Sequence, residues 1–405
     1  MNSKTIVLIA AVINGLSLVF FSTTGCSPEG TVLPGDIIKA GLKAGCNGCE
    51  IRRIPTEGES EGEAGEGEIT EGESSEGEIM EEGEGENPPG DLFSVPQGTF
   101  KMGRPYDDVG DSMELPVHTV SLDGYRIGKY EVTNREFVDA LNWAYERKLL
   151  KNNEGTAYNG GTIYAYGQPI AETGETSSNA QILYSQSTFS IQMRPDFNGQ
   201  SLSMENHPVI MVSWYGAAAY CNWRSTMQGL QPCYDTTDWT LNRPARNGFR
   251  LPTEAEWERA AAWDGTRHWR YGITNDTNDP TWSNHIEINP LWLKVYPYTS
   301  PAGWYDGIHP AQVRYPDIIT QKAISPVGAY DMTGNVLEWC YDWYQGDYYA
   351  QSPDANPAGP AEGMFRVARG GSWSTSTPDC RTARRFRYVP ASRENNLGFR
   401  VLLPQ

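Results

Sequence analysis

From about residue 91 to Gln405 the chain predicts a single α+β domain, rich in loops and poor in long regular elements. Three observations predict it. After "NPPG" aromatics become frequent and glycines mark turns every ten or so residues. Short apolar runs bounded by turn residues read as strands. Two Thr-x-x-Glu boxes ahead of apolar-periodic stretches mark helix starts.

The elements follow in order. "LFSVPQGTFKMG" and "HTVSLDGYRIGKYEVT" read as short strands with turns at Gln97-Gly98 and Asp123-Gly124. Thr133 and Glu136 then form a capping box ahead of Phe137, Leu141 and Ala144, so a helix begins there. Residues 151–206, rich in Asn, Gly, Ser and Thr with runs such as "AQILYSQSTFSIQM", read as an insertion or a pair of hairpins. "HPVIMVSW" is expected to be a buried strand, and Tyr215 to Trp223 a helix. "GFRLPTEAEWERAAAW" is the clearest helix start in the chain: Thr253 caps, Glu256 returns the bond, and Ala255, Trp257 and Ala260 onward build the helix.

The first ninety residues are of another kind. "MNSKTIVLIAAVINGLSLVFFSTTGC" has Lys4 near its start and an apolar run from Ile6 to Phe21, which reads as a secretory signal over residues 1–25. Its end, Thr23-Thr24-Gly25-Cys26, resembles a bacterial lipobox, in which the cysteine becomes the lipid-bearing first residue of the mature protein; Thr23 departs from the usual aliphatic residue. An ordinary signal peptide or an uncleaved anchor are the alternatives. A lipidated segment would then span residues 26–56, and the expected location is the bacterial cell envelope, held to a membrane by acyl chains at roughly 0.8 kcal/mol per buried methylene. Residues 57–90 hold a run with fourteen glutamates between Glu57 and Glu86, interleaved with Gly and Ser. Such a run buries little apolar area and repels itself, so it reads as a disordered spacer.

The formal net charge is −19, from 32 basic and 51 acidic residues, and no basic stripe is visible. Nucleic acid is therefore not an expected partner. Seven cysteines lie at 26, 46, 49, 221, 233, 340 and 380. Cys46 and Cys49 have C-x-x-C spacing without a second pair nearby, which favours a surface disulfide or spacer cysteines over zinc. Cys221, in "YGAAAYCNW", reads as a small buried hydrophobe. The five histidines form no H-E-x-x-H helix, and no Gly-rich phosphate loop is present.

"RLPTEAEWERAA", "SPVGAYDMTGNVLEW", "RGGSW" and "NNLGFRV" occur in the order typical of the formylglycine-generating enzyme family, also called the sulfatase-modifying factor domain, which the chain resembles from about Leu92 to Leu403. The resemblance implies a loop-rich variant of the C-type-lectin-like fold. Enzymes of that family oxidise a cysteine in a C-x-P-x-R peptide of a sulfatase to formylglycine, using oxygen and copper(I) held by two cysteines. Soft thiolates select Cu(I), so the chemistry needs the pair. Their matching positions here are Thr375 and Cys380, and Ser372 matches the active-site serine. A neutral hydroxyl does not replace a thiolate, so copper is not expected, and Cys340 has no sequence feature that brings it to Cys380. Gly370-Gly371-Ser372 is equally explained as a turn needing positive φ. Arg381, Arg384, Arg385 and Arg387 could line an anion pocket or pair with the domain's acids.

The resemblance also implies structural calcium at Asp331, Gly334, Val336 and Glu338. An extended segment there would present oxygens on one side, with two carboxylates for a hard cation, and a turn in which Asp331 and Glu338 merely cap backbone amides is the alternative. A second site would use Asn284 and His285. Two functions result: a membrane-anchored, calcium-stabilised, non-catalytic module that binds a protein, peptide or glycan, or a formylglycine-generating oxidoreductase acting on sulfatases.

Overall fold

The computed structural model describes residues 92–405 apart from 107–109, 243–246 and 287, together with the backbone of two short paired strands, Ile6–Leu8 and Phe21–Thr23. Cys26, Cys46, Cys49, the Glu/Gly run and the rest of the expected signal lie outside the described residues. The chain divides at Gly83 into two compact units, and the second, Glu84–Gln405, carries every other described element. No helix among the described residues is long and apolar enough to cross a membrane.

The domain opens with β1 (Leu92–Val95), β2 (Gly98–Met102), β3 (His118–Leu122) and β4 (Tyr125–Gly128). The two turns fall where expected, yet neither closes a hairpin between its flanking strands. β2 pairs with β3, whereas β1 pairs with β4. Both sheets still serve one core, because Phe100, Val120 and Leu122 of one and Val95, Tyr125 and Ile127 of the other are buried in the same apolar cluster.

Helix α1 (Asn134–Glu146) starts at the predicted capping box, with Thr133 accepting from the Glu136 amide and the Glu136 carboxylate accepting from the Thr133 amide. Phe137, Leu141 and Ala144 face the core as their spacing requires. Residues 151–206 fold into hairpins: β5–β7 (Tyr158–Asn159, Thr162–Ala165, Gln168–Glu172), β8 and β9 (Ile182–Ser185, Thr188–Ile191), and β10 and β11 (Met193–Pro195, Ser201–Ser203). Ile163, Ile170, Ile182 and Phe189 join the cluster that contains Leu141 and Trp214, so this region is part of the main core.

"HPVIMVSW" is buried as predicted but is not a strand. Met211 has φ 56°, and the amides of Val209, Met211 and Ser213 bond to Val132, Glu394 and Ile170, three separate segments. The apolar run reports burial; without one partner strand alongside, its backbone is satisfied piecemeal. Helix α2 (Trp214–Met227) then begins on the Ser213 cap and runs about a turn beyond the expected end. Helix α3 (Glu254–Ala262) starts at the Thr253/Glu256 box.

The second half contributes β12 (Leu337–Trp343), β13 (Arg366–Arg369), β14 (Phe386–Tyr388), β15 (Leu397–Gly398) and β16 (Leu402–Pro404). Four of these form a sheet in the order β14-β13-β12-β15, in which only the β12–β15 pair is parallel. β16 instead pairs with β4, so both ends of the domain meet on the sheet β16-β4-β1. The expected loop-rich α+β class is what the structure has, and Trp257, Trp339 and Trp373 are buried core residues.

Helix α3 buries three carboxylates, each ion-paired. Glu254 receives Arg385 through two bonds (2.7 and 2.8 Å) and Arg369 at 3.0 Å. Glu256 receives Arg250, and Glu258 receives Arg369 and His268. Burial would raise the Glu258 pKa, but Arg369 and His268 hold it down at about 2. Asp342 behaves oppositely: it accepts from the Glu254 amide at 2.7 Å, and burial followed by the Glu254 charge pushes it up to about 8 from 3.8. A raised native pKa favours the protonated form, so its contribution is full below about pH 4 and is lost as pH rises through about 8. Asp342→Asn should therefore match the parent near pH 4 and melt at least about 2 °C higher at pH 9. Thermal unfolding across that range checks it, and equal pH profiles for the two proteins would exclude a buried, proton-linked Asp342.

Candidate functional site

Strand β13 ends in Gly370 and Gly371, with φ of 97° and 74°, which supports the expectation of a positive-φ turn. Gly371 is also required by proximity: a Cβ there would lie 2.6 Å from the Cys380 Sγ. The turn therefore lays residues 372–375 against a short 3-10 helix, Thr377–Cys380. The Thr375 Oγ1 stands 3.3 Å from the Cys380 Sγ.

Thr375 is fixed by its own backbone. Its hydroxyl accepts from the Ser372 amide (2.7 Å) and donates to the Ser372 carbonyl (3.1 Å). In the contact between Thr375 and Cys380 either the hydroxyl or the thiol can be the donor. Burial pushes the Cys380 pKa up to about 11, and the bond to Thr375 offsets that only in part. The Ser372 Oγ is held by the Ser374 hydroxyl (3.2 Å) and the Asn396 amide (3.3 Å).

Cys340 packs with Trp257, Met332 and Val367, whereas Cys380 packs with Tyr271, Ile273, Tyr305 and Ala323. Cys221 and Cys233 lie in the main core, and none of these four is in a disulfide. One alcohol and one neutral thiol are a poor match to the two soft thiolates that copper(I) chemistry needs. Three of the arginines after Cys380 pair with acids: Arg381 with Glu114 (2.7 and 2.9 Å), Arg384 with Asp111 and Asp379, and Arg385 with Glu254.

The "DMTGNVLEW" segment differs from the expected extended ladder. Asp331, Gly334 and Asn335 all have positive φ (58°, 83° and 56°), and the strand starts only at Leu337. The segment is thus coiled, and Gly334 is obligatory because a Cβ would meet the Asn284 carbonyl at 2.3 Å. The roles of its acids also differ. Glu338 takes two 2.6 Å bonds from Arg400 and one of 2.8 Å from the Trp257 indole, so its charge is neutralised. Among the described residues, the carboxylates here with no ion-pair partner are Asp331 and Glu131, the latter a residue that nothing in the linear sequence singled out.

Glu131 accepts from the Asn335 side chain (2.8 Å) and the Val336 amide (3.1 Å), while Asp331 accepts from the Gly303 amide (2.6 Å). Burial, then the Asp331 and Glu338 charges, push Glu131 well above the carboxylate range, and burial raises Asp331 to about 6. Three buried carboxylates face one guanidinium, a deficit of two positive charges when all are ionised. Asn284 sits beside them, bonding the Tyr298 carbonyl through Nδ2 (2.8 Å) while its Oδ1 is buried without a partner. His285 lies next to it in sequence and bonds Ser283. Among the described residues no three His, Cys, Asp or Glu side chains could hold an ion by themselves. An ion here would need backbone and amide oxygens as well, and the unpartnered Asn284 oxygen fits that need.

The family model described as sulfatase-modifying factor enzyme 1-like domain matches residues 77–404. The serine/threonine-protein kinase Pkn1 of Chlamydia trachomatis serovar L2 is 31% identical, over 76% of this chain and 38% of its own length. The chain thus spans under half of that kinase. A formylglycine-generating enzyme of Streptomyces coelicolor is 30% identical, over 76% of this chain and 87% of its own. The chaperone protein LppX of Paenibacillus barcinonensis is 32% identical, over 71% of this chain and 79% of its own.

Proposed function

The chain belongs to the sulfatase-modifying factor enzyme 1-like domain family, and from that premise we propose that it is a membrane-anchored lipoprotein whose domain binds a ligand rather than oxidising one. Its relatives bear the names of a formylglycine-generating enzyme, a serine/threonine-protein kinase and a chaperone, so membership alone does not choose a chemistry. The observation that carries the choice is the Thr375 hydroxyl, 3.3 Å from Cys380 and tied to Ser372 on both sides. The second reading, a formylglycine-generating oxidase, is favoured by the 30% identity to the Streptomyces enzyme and by the match at Ser372 and Cys380.

Copper separates the two. Wild-type protein incubated with Cu(I) and air should leave a C-x-P-x-R peptide unchanged, whereas Thr375→Cys should bind Cu(I) at least about tenfold more tightly in competition with a chelator, a gain of about 1.4 kcal/mol. Peptide conversion by the wild type, with loss of one thiol, would sink the binding-module proposal.

We further propose that a calcium ion joins Asp331 and Glu131 to the carbonyls of Gly334 and Val336, with Asn284 and the Glu338 oxygens completing the shell. The support is the unneutralised buried charge and the unpartnered Asn284 oxygen. Calcium at 100 times its dissociation constant should then add about 2.7 kcal/mol to stability. Asp331→Asn and Glu131→Gln should each raise the melting temperature in chelator, by removing like-charge repulsion, and shrink the gain on adding calcium. The Glu/Gly run is common to all three proteins, so weak binding there cancels. Identical melting of the wild type in excess calcium and in chelator would rule the ion out.

The lipid anchor rests on the N-terminal sequence. The mature chain is expected to begin at Cys26 and to sediment with membranes, and Cys26→Ser should release it or leave the precursor uncleaved. A normally processed, membrane-bound Cys26→Ser protein would refute lipidation.

A further inference from the structure

Arg387 is the arginine of the "RTARRFR" run that the acids leave over. It is exposed and, among the described residues, ion-pairs with no carboxylate. Its guanidinium lies over the rings of Tyr344 (5.1 Å) and Phe365 (5.8 Å), with the Met113 thioether sulfur at 3.9 Å. It stands at a cleft of about 260 Å³ whose walls include Met113, Tyr344 and Phe386.

The other charges at this cleft are engaged. Arg385 is held twice by Glu254 and also donates to the carbonyls of Met113 and Gln345. Arg384 lies beside Asp111 and Asp379. Asp111 accepts from the Met113 amide and from Arg384, both of which hold its carboxyl below the usual range. Glu114 is fully buried against Arg381. Among the described residues, what the cleft offers a ligand is one guanidinium with no ion pair beside the apolar side chains of Met113, Tyr344 and Phe386.

Stacking on two rings and one weak N–H contact to the Met113 sulfur restrict the rotamers of Arg387, and its remaining N–H groups, which have no acceptor among the described residues, can take a planar acceptor in a two-bond fork. A carboxylate matches that fork, and an apolar body attached to it would rest against Met113, Tyr344 and Phe386. The volume, just under the usual range for drug-sized ligands, suits an acid of about ten heavy atoms. We infer that this cleft is a binding site for the carboxylate of a small acid with an aromatic or aliphatic body. The site stands whether or not the domain oxidises peptides, since none of its residues belongs to the Ser372–Cys380 turn.

The test uses the full chain at low salt, with 3-phenylpropionate as probe, 3-phenylpropionamide as its neutral counterpart and inorganic phosphate as a second anion. Binding is followed by calorimetry and by the NMR signals of the arginine Nε–H groups. The acid should bind, shift the Arg387 signal, and bind about tenfold or more weakly to Arg387→Gln, the size expected for a hydrogen bond to a charged group. The amide should bind more weakly and be indifferent to that substitution. Arg387 is exposed, so the variant should melt as the wild type does. Equal binding of acid and amide, an unchanged affinity in Arg387→Gln, tighter binding of phosphate than of the acid, or no acid binding at about 10 mM would each overturn the assignment.

Discussion

Much of the domain is held by one buried pair, Arg400 with Glu338. Arg400 comes from the last segment of the chain and Glu338 from β12, 62 residues earlier. The guanidinium also donates to the carbonyls of Gly128 and Tyr330 (both 2.9 Å), and Glu338 takes the indole of Trp257 on α3. Four separate parts of the chain thus converge on two side chains with no exposed surface. A loop-rich domain has few long ladders to satisfy its buried backbone, so long polar side chains do that work across segments. Removing one partner would leave a buried charge alone, which costs several kcal/mol, more than an exposed pair contributes.

The same convergence explains the acidic pocket beside it. Val336 and Asn335 lie just ahead of Glu338, and their amide and side chain bring Glu131 into contact with the coiled "DMTGNVLEW" segment. Arg400 neutralises one carboxylate, leaving Glu131 and Asp331 in a medium that disfavours their charge. Two outcomes are physically open to such a pair. They take up protons, as their raised pKa values indicate for the ion-free state, or a hard divalent cation displaces the protons and repays the lost solvation.

Local signals were the legible ones. Both capping boxes act within four residues, and both helices begin where Thr133 and Thr253 place them. The positive-φ turn at Gly370-Gly371 and the pairing of Arg381, Arg384 and Arg385 with acids could also be anticipated. What the sequence hid was nonlocal. "HPVIMVSW" looks like a strand because apolar content reports burial, while strand character depends on whether another segment runs alongside. Glu131 sits in "GKYEVTN" with no neighbour to mark it, since its partners lie 204 and 205 residues later. Arg400, an arginine inside the apolar "LGFRVLL", was the available hint that a buried acid must exist to receive it. Alternation of Gly334, Val336 and Glu338 suggested an extended ladder, and the positive φ of Asn335 defeats that inference.

A polar group without a partner is a better guide to function than a group that matches a motif. In the Ser372–Cys380 turn the three side chains at the family's catalytic positions each have a partner: Ser372 in Ser374 and Asn396, Thr375 in both backbone groups of Ser372, and Cys380 in Thr375. The turn's geometry is therefore explained as structure, and a substrate approaching it would have to break bonds already made inside a buried site. At Arg387 the balance runs the other way. The guanidinium is exposed, lies over two rings and gives one weak N–H contact to the Met113 sulfur, so a planar anion gains charge-assisted bonds without displacing a carboxylate among the described residues.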